Sequence, residues 1–229
     1  MRRHLDAESG GDRTKHDLNE AIAQVGKALG HPGRVELLDL LSQAERGVDR
    51  LAELTGQAVG TVSAQLRVLR EARLVQTRRE GTRVIYRLAD RDVADLLNQT
   101  RRVARSRAAG VDALLDAFHR DADALDSIGP EELAERIASG EVVVIDVRPA
   151  EEYAAGHISG ARSIPLPELR DRLAELPPGR EVVAYCRGPF CLLAPEAVGV
   201  LRAAGRPARR LELGVTEWRD TGRPVSAAA

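Results

Sequence analysis

Both cysteines of this 229-residue chain lie in one short segment, Cys186-Arg187-Gly188-Pro189-Phe190-Cys191. An apolar run from Val182 to Tyr185 leads straight into it, and helical spacing resumes at Leu192, so the segment reads as a loop between a buried strand and a helix. Backbone amides that converge where a loop opens a helix form an anion-binding nest. That field favours thiolate over thiol, and the thiolate is the nucleophile. The same cradle can hold a persulfide, the carrier of a transferred sulfur atom. Gly188 lets the backbone curl inward and Arg187 adds positive charge nearby, while Pro189 and Phe190 make the end of the loop apolar. Cys191 is a candidate resolving thiol that would turn a Cys186 persulfide into a disulfide or a polysulfide bridge. A polysulfide bridge also relaxes the Cα separation of under about 7 Å that a plain disulfide demands. Cysteine is equally at home as a small buried hydrophobe, and for Cys191 that reading stays open.

A second chemistry is written in arginine. Between Gly60 and Arg91 stand Arg67, Arg70, Arg73, Arg78, Arg79, Arg83, Arg87 and Arg91 against Glu71, Glu80 and Asp90, in a chain whose formal net charge is only -1. A local basic patch on a near-neutral protein is the electrostatic footprint expected for nucleic acid.

Helices and a hairpin must position that patch. Leu18, Ile22, Val25 and Leu29 mark one buried helix face, ended by Gly30-His31-Pro32-Gly33, and Arg34 to Leu41 continues as a second helix. Val48 to Leu54 and Val59 to Ala72 form two further helices separated by Thr55-Gly56-Gln57-Ala58, the helix-turn-helix layout. With Val62, Leu66 and Leu69 inward, the exposed arc offers Gly60, Thr61, Ser63, Ala64, Gln65 and Arg67. Gln65 can pair with adenine, and Arg67 can reach guanine or phosphate. Leu74 to Thr77 and Arg83 to Leu88 flank a Gly81 turn as a hairpin, a wing whose Arg78, Arg79 and Arg83 can sit over phosphates or enter the minor groove. A long helix follows, with Val93, Leu96, Leu97, Val103, Val111, Leu114, Leu115 and Phe118 on one stripe.

The remainder alternates strand and helix. Helices are expected over Pro130–Ser139, Ala150–Ala155, Pro167–Leu176, Leu192–Ala204 and near Trp218, and strands over Val142–Val147, Arg162–Ile164, Val182–Tyr185 and Ala208–Leu213. Such alternation implies a mostly parallel sheet covered on both faces. The expected organisation is multidomain: a disordered lead-in (1–17), a mostly α winged helix-turn-helix DNA-binding and dimerisation domain (18–120), a linker (121–128) and an α/β domain (129–229). The first residues lack the apolar stretch of a secretory signal, and no apolar run approaches the roughly 20 residues that span a bilayer, which together point to the cytoplasm. No cofactor is expected.

From about Asn19 to Arg120 the chain resembles the ArsR family of winged-helix repressors, on Ala28-Leu29-Gly30-His31-Pro32-Gly33-Arg34, Thr61 to Ala72, and the wing Arg79 to Tyr86. The resemblance implies a homodimer joined through the first and last helices of this domain, reading a palindromic operator in double-stranded DNA and repressing until an inducer releases it. Members often sense metals through cysteines on the helix before the recognition helix, or through His and Asp on the last helix. Here the former, Val48 to Leu54, has no cysteine, and the latter has Asp92, Asp95 and Asp112 but only a terminal His119, so no metal site is expected.

From Ile128 onward the chain resembles a rhodanese domain, on Asp146-Val147-Arg148, Glu152-Tyr153, Gly156-His157-Ile158, Gly160-Ala161, Ile164-Pro165, Leu213-Gly214, Trp218 and Gly222-Arg223-Pro224-Val225. Cys186 matches the family nucleophile, and the loop length is similar to that of sulfur-handling members. The resemblance implies a regulator whose rhodanese domain senses reactive sulfur species (persulfide, polysulfide or thiosulfate) through Cys186. The alternatives are an active sulfurtransferase with an autoregulatory DNA-binding domain and, third, an arsenic-responsive regulator using the two thiols. Asp146, Arg148 and His157 are read as holding loops and caps.

Overall fold

The computed structural model describes residues 6–108, 110, 111, 113, 114 and 127–227, with side chains from residue 14 onward. Its contacts divide the chain into two compact units, residues 1–102 and 103–229.

The first unit carries α1 (Asp6–Leu29), α2 (Pro32–Gln43), β1 (Arg46–Gly47), α3 (Val48–Thr55), α4 (Val59–Glu71), β2 (Val75–Glu80), β3 (Arg83–Leu88) and most of α5 (Arg91–Arg107). Three small strands in the order β1-β3-β2 make the wing sheet. The core is Leu37, Leu38 and Leu41 of α2, Leu51 of α3, Val62, Leu66 and Leu69 of α4, and Val93 and Leu97 of α5. Polar side chains tie off the helix ends. His31 Nδ1 accepts the Gly33 amide at 3.1 Å at the start of α2, beside a proline already preset for the first turn. The Arg34 guanidinium donates to the Ala28 and Lys27 carbonyls at the end of α1, and buried Arg46 does the same for Leu40 and Ala44 after α2.

Two expectations change here. The first helix runs back to Asp6, over residues read from sequence as a disordered lead-in. Its apolar stripe also outruns the core of its own unit: Val25 and Leu29 pack on that core, whereas Leu18 and Ile22 stay exposed, Ile22 by 70%. On α5 and just beyond it Val103 and Leu114 are exposed as well. The helix stops at Arg107, and after it Gly110 takes a positive φ of 88°. Asp112, Leu115, Phe118, His119 and the linker 121–126 lie outside the described residues.

The second unit contains β4 (Ser127–Ile128), α6 (Pro130–Ala138), β5 (Val142–Asp146), α7 (Ala150–Ala155), β6 (His157–Ile158), β7 (Arg162–Ser163), β8 (Glu181–Tyr185), α8 (Leu193–Ala203), β9 (Ala208–Leu211), α9 (Val215–Asp220) and β10 (Val225–Ser226). The strand β4 occupies residues expected to belong to the linker. Five strands form a sheet in the order β4-β9-β8-β5-β7, with every pair parallel. Both faces are covered, by Ala194, Ala197, Val198 and Leu201 of α8 on one side and Leu133, Val215 and Trp218 on the other. This is why Val142–Asp146 and Glu181–Tyr185 are nearly continuous apolar runs.

The expected helix over Pro167–Leu176 is instead two 3₁₀ turns, Leu166–Glu168 and Leu173–Glu175. Its anchors Leu169 and Leu176 are still buried. The carbonyls of Leu173, Leu176 and Pro177 are taken by the Arg206 guanidinium, and that of Glu175 by Arg162, so the backbone is satisfied without a regular helix.

Candidate functional site

The cysteine loop leaves the carboxyl end of β8. From β5 the chain crosses to β7 on one side, whereas from β8 it crosses to β9 on the other, so the loop opens at a topological switch point. Such crevices are where open parallel sheets bind ligands. Gly188 turns the loop with φ at +118°, and the Cys191 amide closes on the Gly188 carbonyl at 3.1 Å before α8 begins. The loop presses on the turn that starts α9. A Cβ on Gly214 would lie 2.4 Å from the Arg187 carbonyl oxygen, which only glycine avoids.

Both thiols are buried and reduced, Cys186 at 3% exposure and Cys191 at 9%. The Cys186 Sγ faces the carbonyls of Gly188 and Cys191 at 3.8 and 3.6 Å, and it hydrogen-bonds to the Cys191 sulfur. Burial, followed by the neighbouring thiol, pushes Cys186 well above the ordinary cysteine value. Cys191 moves the other way, down to about 7, because the Cys186 thiol donates to it and the Arg187 and Leu193 amides add to that against the cost of burial. One proton is thus shared by two sulfurs, and the sulfur nearer the start of α8 carries the charge. The nest expected around Cys186 serves Cys191 at least as much.

Arg187 does not point its charge freely into the loop. Its Nε and Nη2 grip the carboxylate of Glu152, which is fully buried, at 2.6 to 3.1 Å. Glu152 also lies 4.0 Å from Arg148. Buried Arg148 is held by Asp146 through Nε and Nη2, and donates to the Gly156 carbonyl at 2.7 Å. The Tyr185 hydroxyl donates to Asp146 at 2.7 Å, and burial, with the Asp146 charge second, pushes its pKa up so that it stays a donor. His157 stacks on Tyr153 with ring centroids 3.7 Å apart, and its Nδ1 meets the Tyr153 carbonyl at 2.9 Å. Asp146, Arg148 and His157 therefore sit in a buried scaffold behind the loop. Glu152 belongs to the same scaffold, and its place in an i, i+4 register with Arg148 was the available sequence signal.

In the other unit, α3 and α4 are joined through Gly56 at φ +64°. Gly60, Thr61, Ser63, Ala64 and Arg67 are exposed on α4. Gln65 is not, being only 9% exposed. Its Nε2 donates to Gln57 at 3.0 Å, and its amide lies so close to Gly33 that a Cβ there would stand 2.7 Å away. The expectation that Gln65 reads adenine is corrected accordingly. Three residues after Val62 and four before Leu69, it belongs to the edge of the buried face. In the wing, Arg78 is bound by Glu45 through Nε and Nη2 and by Glu80 at 2.7 Å. Its guanidinium in turn holds the Glu45 carboxyl below the ordinary carboxylate range. Arg79 and Arg83 are exposed and make no ion pair among the described residues.

Among the described residues no three His, Cys, Asp or Glu side chains are grouped to hold a metal ion. No described helix is long and apolar enough to cross a membrane.

A winged helix-turn-helix unit and a parallel α/β unit with a dithiol loop define a DNA-binding regulator with a rhodanese-like domain. Residues 31–77 match the model of the bacterial regulatory proteins of the arsR family, and residues 129–221 that of the rhodanese-like domain. The HTH-type transcriptional regulator Rv0324 of Mycobacterium tuberculosis is 48% identical over 216 residues, 94% of this chain and 94% of that protein. The HTH-type transcriptional regulator KmtR of the same organism is 35% identical over 53% of this chain and 91% of its own. Among solved structures, a homodimeric winged helix-turn-helix DNA-binding domain (fragment 1-100) from Mycobacterium bovis is 40% identical, covering 47% of this chain and 94% of that one at a TM-score of 0.39. The chain belongs to the ArsR family of transcriptional regulators, in a form that carries a C-terminal rhodanese-like domain.

Proposed function

We propose that this protein is a homodimeric, operator-binding repressor whose rhodanese-like loop senses reactive sulfur species, holding the sulfur as a persulfide on Cys186 or closing Cys186 onto Cys191. The observation that carries the reading is the hydrogen-bonded thiol pair in one loop, in a chain whose DNA-binding half has no cysteine. Modified and reduced forms must differ in their preference for the DNA-competent state, since a ligand shifts an equilibrium only by its differential affinity. On the DNA side the reading draws on the exposed Thr61, Ser63, Ala64 and Arg67 of α4 and on Arg79 and Arg83 of the wing. The pairing of two copies draws on Leu18, Ile22 and Val103, apolar side chains that α1 and α5 leave outside their own core.

The test is an operator-binding titration before and after polysulfide, on the wild type and on Cys186→Ser. Wild-type protein is expected to leave the operator and to rebind after reduction with dithiothreitol. A Cys186→Ser protein released by polysulfide to the same extent as wild type overturns the reading.

A further inference from the structure

We propose that sulfur enters this loop at Cys191 rather than Cys186, and that the donor it takes is an uncharged organic polysulfide rather than an anion such as thiosulfate. The inference rests on the sulfur-sensing reading and specifies the order of events within it.

Access separates the two thiols first. Cys186 is the deeper at 3% exposure, and its sulfur faces two backbone carbonyls, the environment of a thiol that donates its proton. Cys191 sits at the mouth, followed at once by Leu192, 43% exposed. The lowered pKa of Cys191 agrees with this order, since its thiolate is stabilised by the Cys186 proton and by two loop amides.

Charge then selects the donor. The only cation within the loop, Arg187, is engaged with buried Glu152. A second carboxylate, Glu217, lies on the opposite flank, 3.4 Å from where a Gly188 Cβ would stand. A dianion would have to approach two carboxylates with little positive charge left to offset them, in a site whose low polarity strengthens the repulsion. Pro189, Phe190, Leu192 and Leu193 instead present an apolar rim, suited to the alkyl arms of a neutral polysulfide.

The chemistry closes with the two thiols and the donor alone. The Cys191 thiolate attacks an outer sulfur of R–S–S–S–R, forming Cys191–S–S–R as an alkyl persulfide anion leaves. Cys186 then attacks the Cys191 sulfur, forming the Cys186–Cys191 disulfide and expelling the alkyl thiolate. The two thiol protons end on the alkyl thiol and the alkyl persulfide. The dithiol is oxidised by two electrons and the trisulfide is reduced by two.

The test is rapid-quench mass spectrometry of the full-length protein with dimethyl trisulfide. On the wild type the first adduct is expected on Cys191, followed by the disulfide. Cys191→Ser should slow initial modification by about tenfold or more, whereas Cys186→Ser should react at close to the wild-type rate and stop at the mixed disulfide. Thiosulfate at equal concentration should modify the wild type about tenfold or more slowly than the trisulfide. A first adduct on Cys186 in the wild type overturns the entry order without relying on any variant. Thiosulfate matching the trisulfide overturns the choice of donor. Wild-type protein that forms the Cys191 adduct and the disulfide yet keeps its operator affinity supports the entry order and overturns only the sensor reading.

Discussion

Arg187 and Glu152 form a fork-to-fork pair in which the carboxylate is fully buried and the guanidinium is largely so. The pair joins the nucleophile loop to α7 and, through Arg148, to the end of β5. Removing one partner of a buried pair leaves the other charge uncompensated, at a cost of roughly 3–5 kcal/mol. Glu152→Ala is therefore expected to destabilise the rhodanese-like unit by about 3 kcal/mol, read as a shift in its urea midpoint. The milder Glu152→Gln should partly free the Arg187 charge and speed labelling by thiosulfate.

The shared proton predicts a pH profile. Cys191 titrates at about 7, so alkylation of the native protein by iodoacetamide should be half-maximal near that pH. Below it Cys191 is protonated, and the rate should fall about tenfold per pH unit; above it the rate should level off. The Cys186 thiol, pushed up by burial, should remain unmodified across the same range. Cys186→Ala removes the main donor to Cys191 and should move the profile to higher pH, whereas Cys186→Ser should move it less. A Cys186→Ala profile superimposable on that of wild type would show that the two thiols do not share a proton.

How much of this was legible beforehand differs between residues. Periodicity located Val62, Leu66 and Leu69, because a helix with three inward anchors has one orientation, and the Val182–Tyr185 run located the loop that follows it. Gln65 was misplaced because a polar residue beside an apolar face was assigned to solvent by type rather than by angle. The 3₁₀ turns were invisible because their cause is Arg206, a residue thirty positions away whose guanidinium takes the carbonyls of Leu176 and Leu173. For the same reason the neutralisation of Arg187 could not be read: Glu152 is remote in sequence, and only the fold brings the two together.

Close approach at Gly214 gives a further prediction. A methyl group there would meet the Arg187 carbonyl at 2.4 Å, so Gly214→Ala must displace the loop or the start of α9. The expected loss is about 1–3 kcal/mol of stability, the usual range for overpacking. Displacement of the loop should also disturb the thiol pair, and the alkylation profile of Gly214→Ala should lose its midpoint near 7.

The wing arginines should separate by their partners. Arg79 and Arg83 are available to phosphates, so replacing either by Ala should lower operator affinity and reduce the log–log salt slope by about 0.9. Arg78 must first leave Glu45 and Glu80, and Arg78→Ala should cost less. Conversely, Glu45→Gln should release Arg78 and tighten binding to unrelated DNA. Fluorescence anisotropy over a salt series distinguishes the three, and equal losses for Arg78→Ala and Arg79→Ala would show that the Glu45 contact does not persist on DNA.

Ile22 provides the test of assembly. Its side chain is 70% exposed on a helix whose other apolar positions, Val25 and Leu29, pack on the core of the same unit. If a second copy covers it, Ile22→Asp places a charge in a desolvated interface and should shift sedimentation from dimer to monomer at micromolar concentration. Because residue 22 makes no contribution to the core of its own unit, the circular dichroism spectrum should be unchanged. Operator affinity should nevertheless collapse, since a two-fold operator bound by one copy loses the second set of contacts and the gain in effective concentration that links them. An Ile22→Asp protein that stays dimeric and binds normally would place the pairing surface elsewhere than on the outer face of α1.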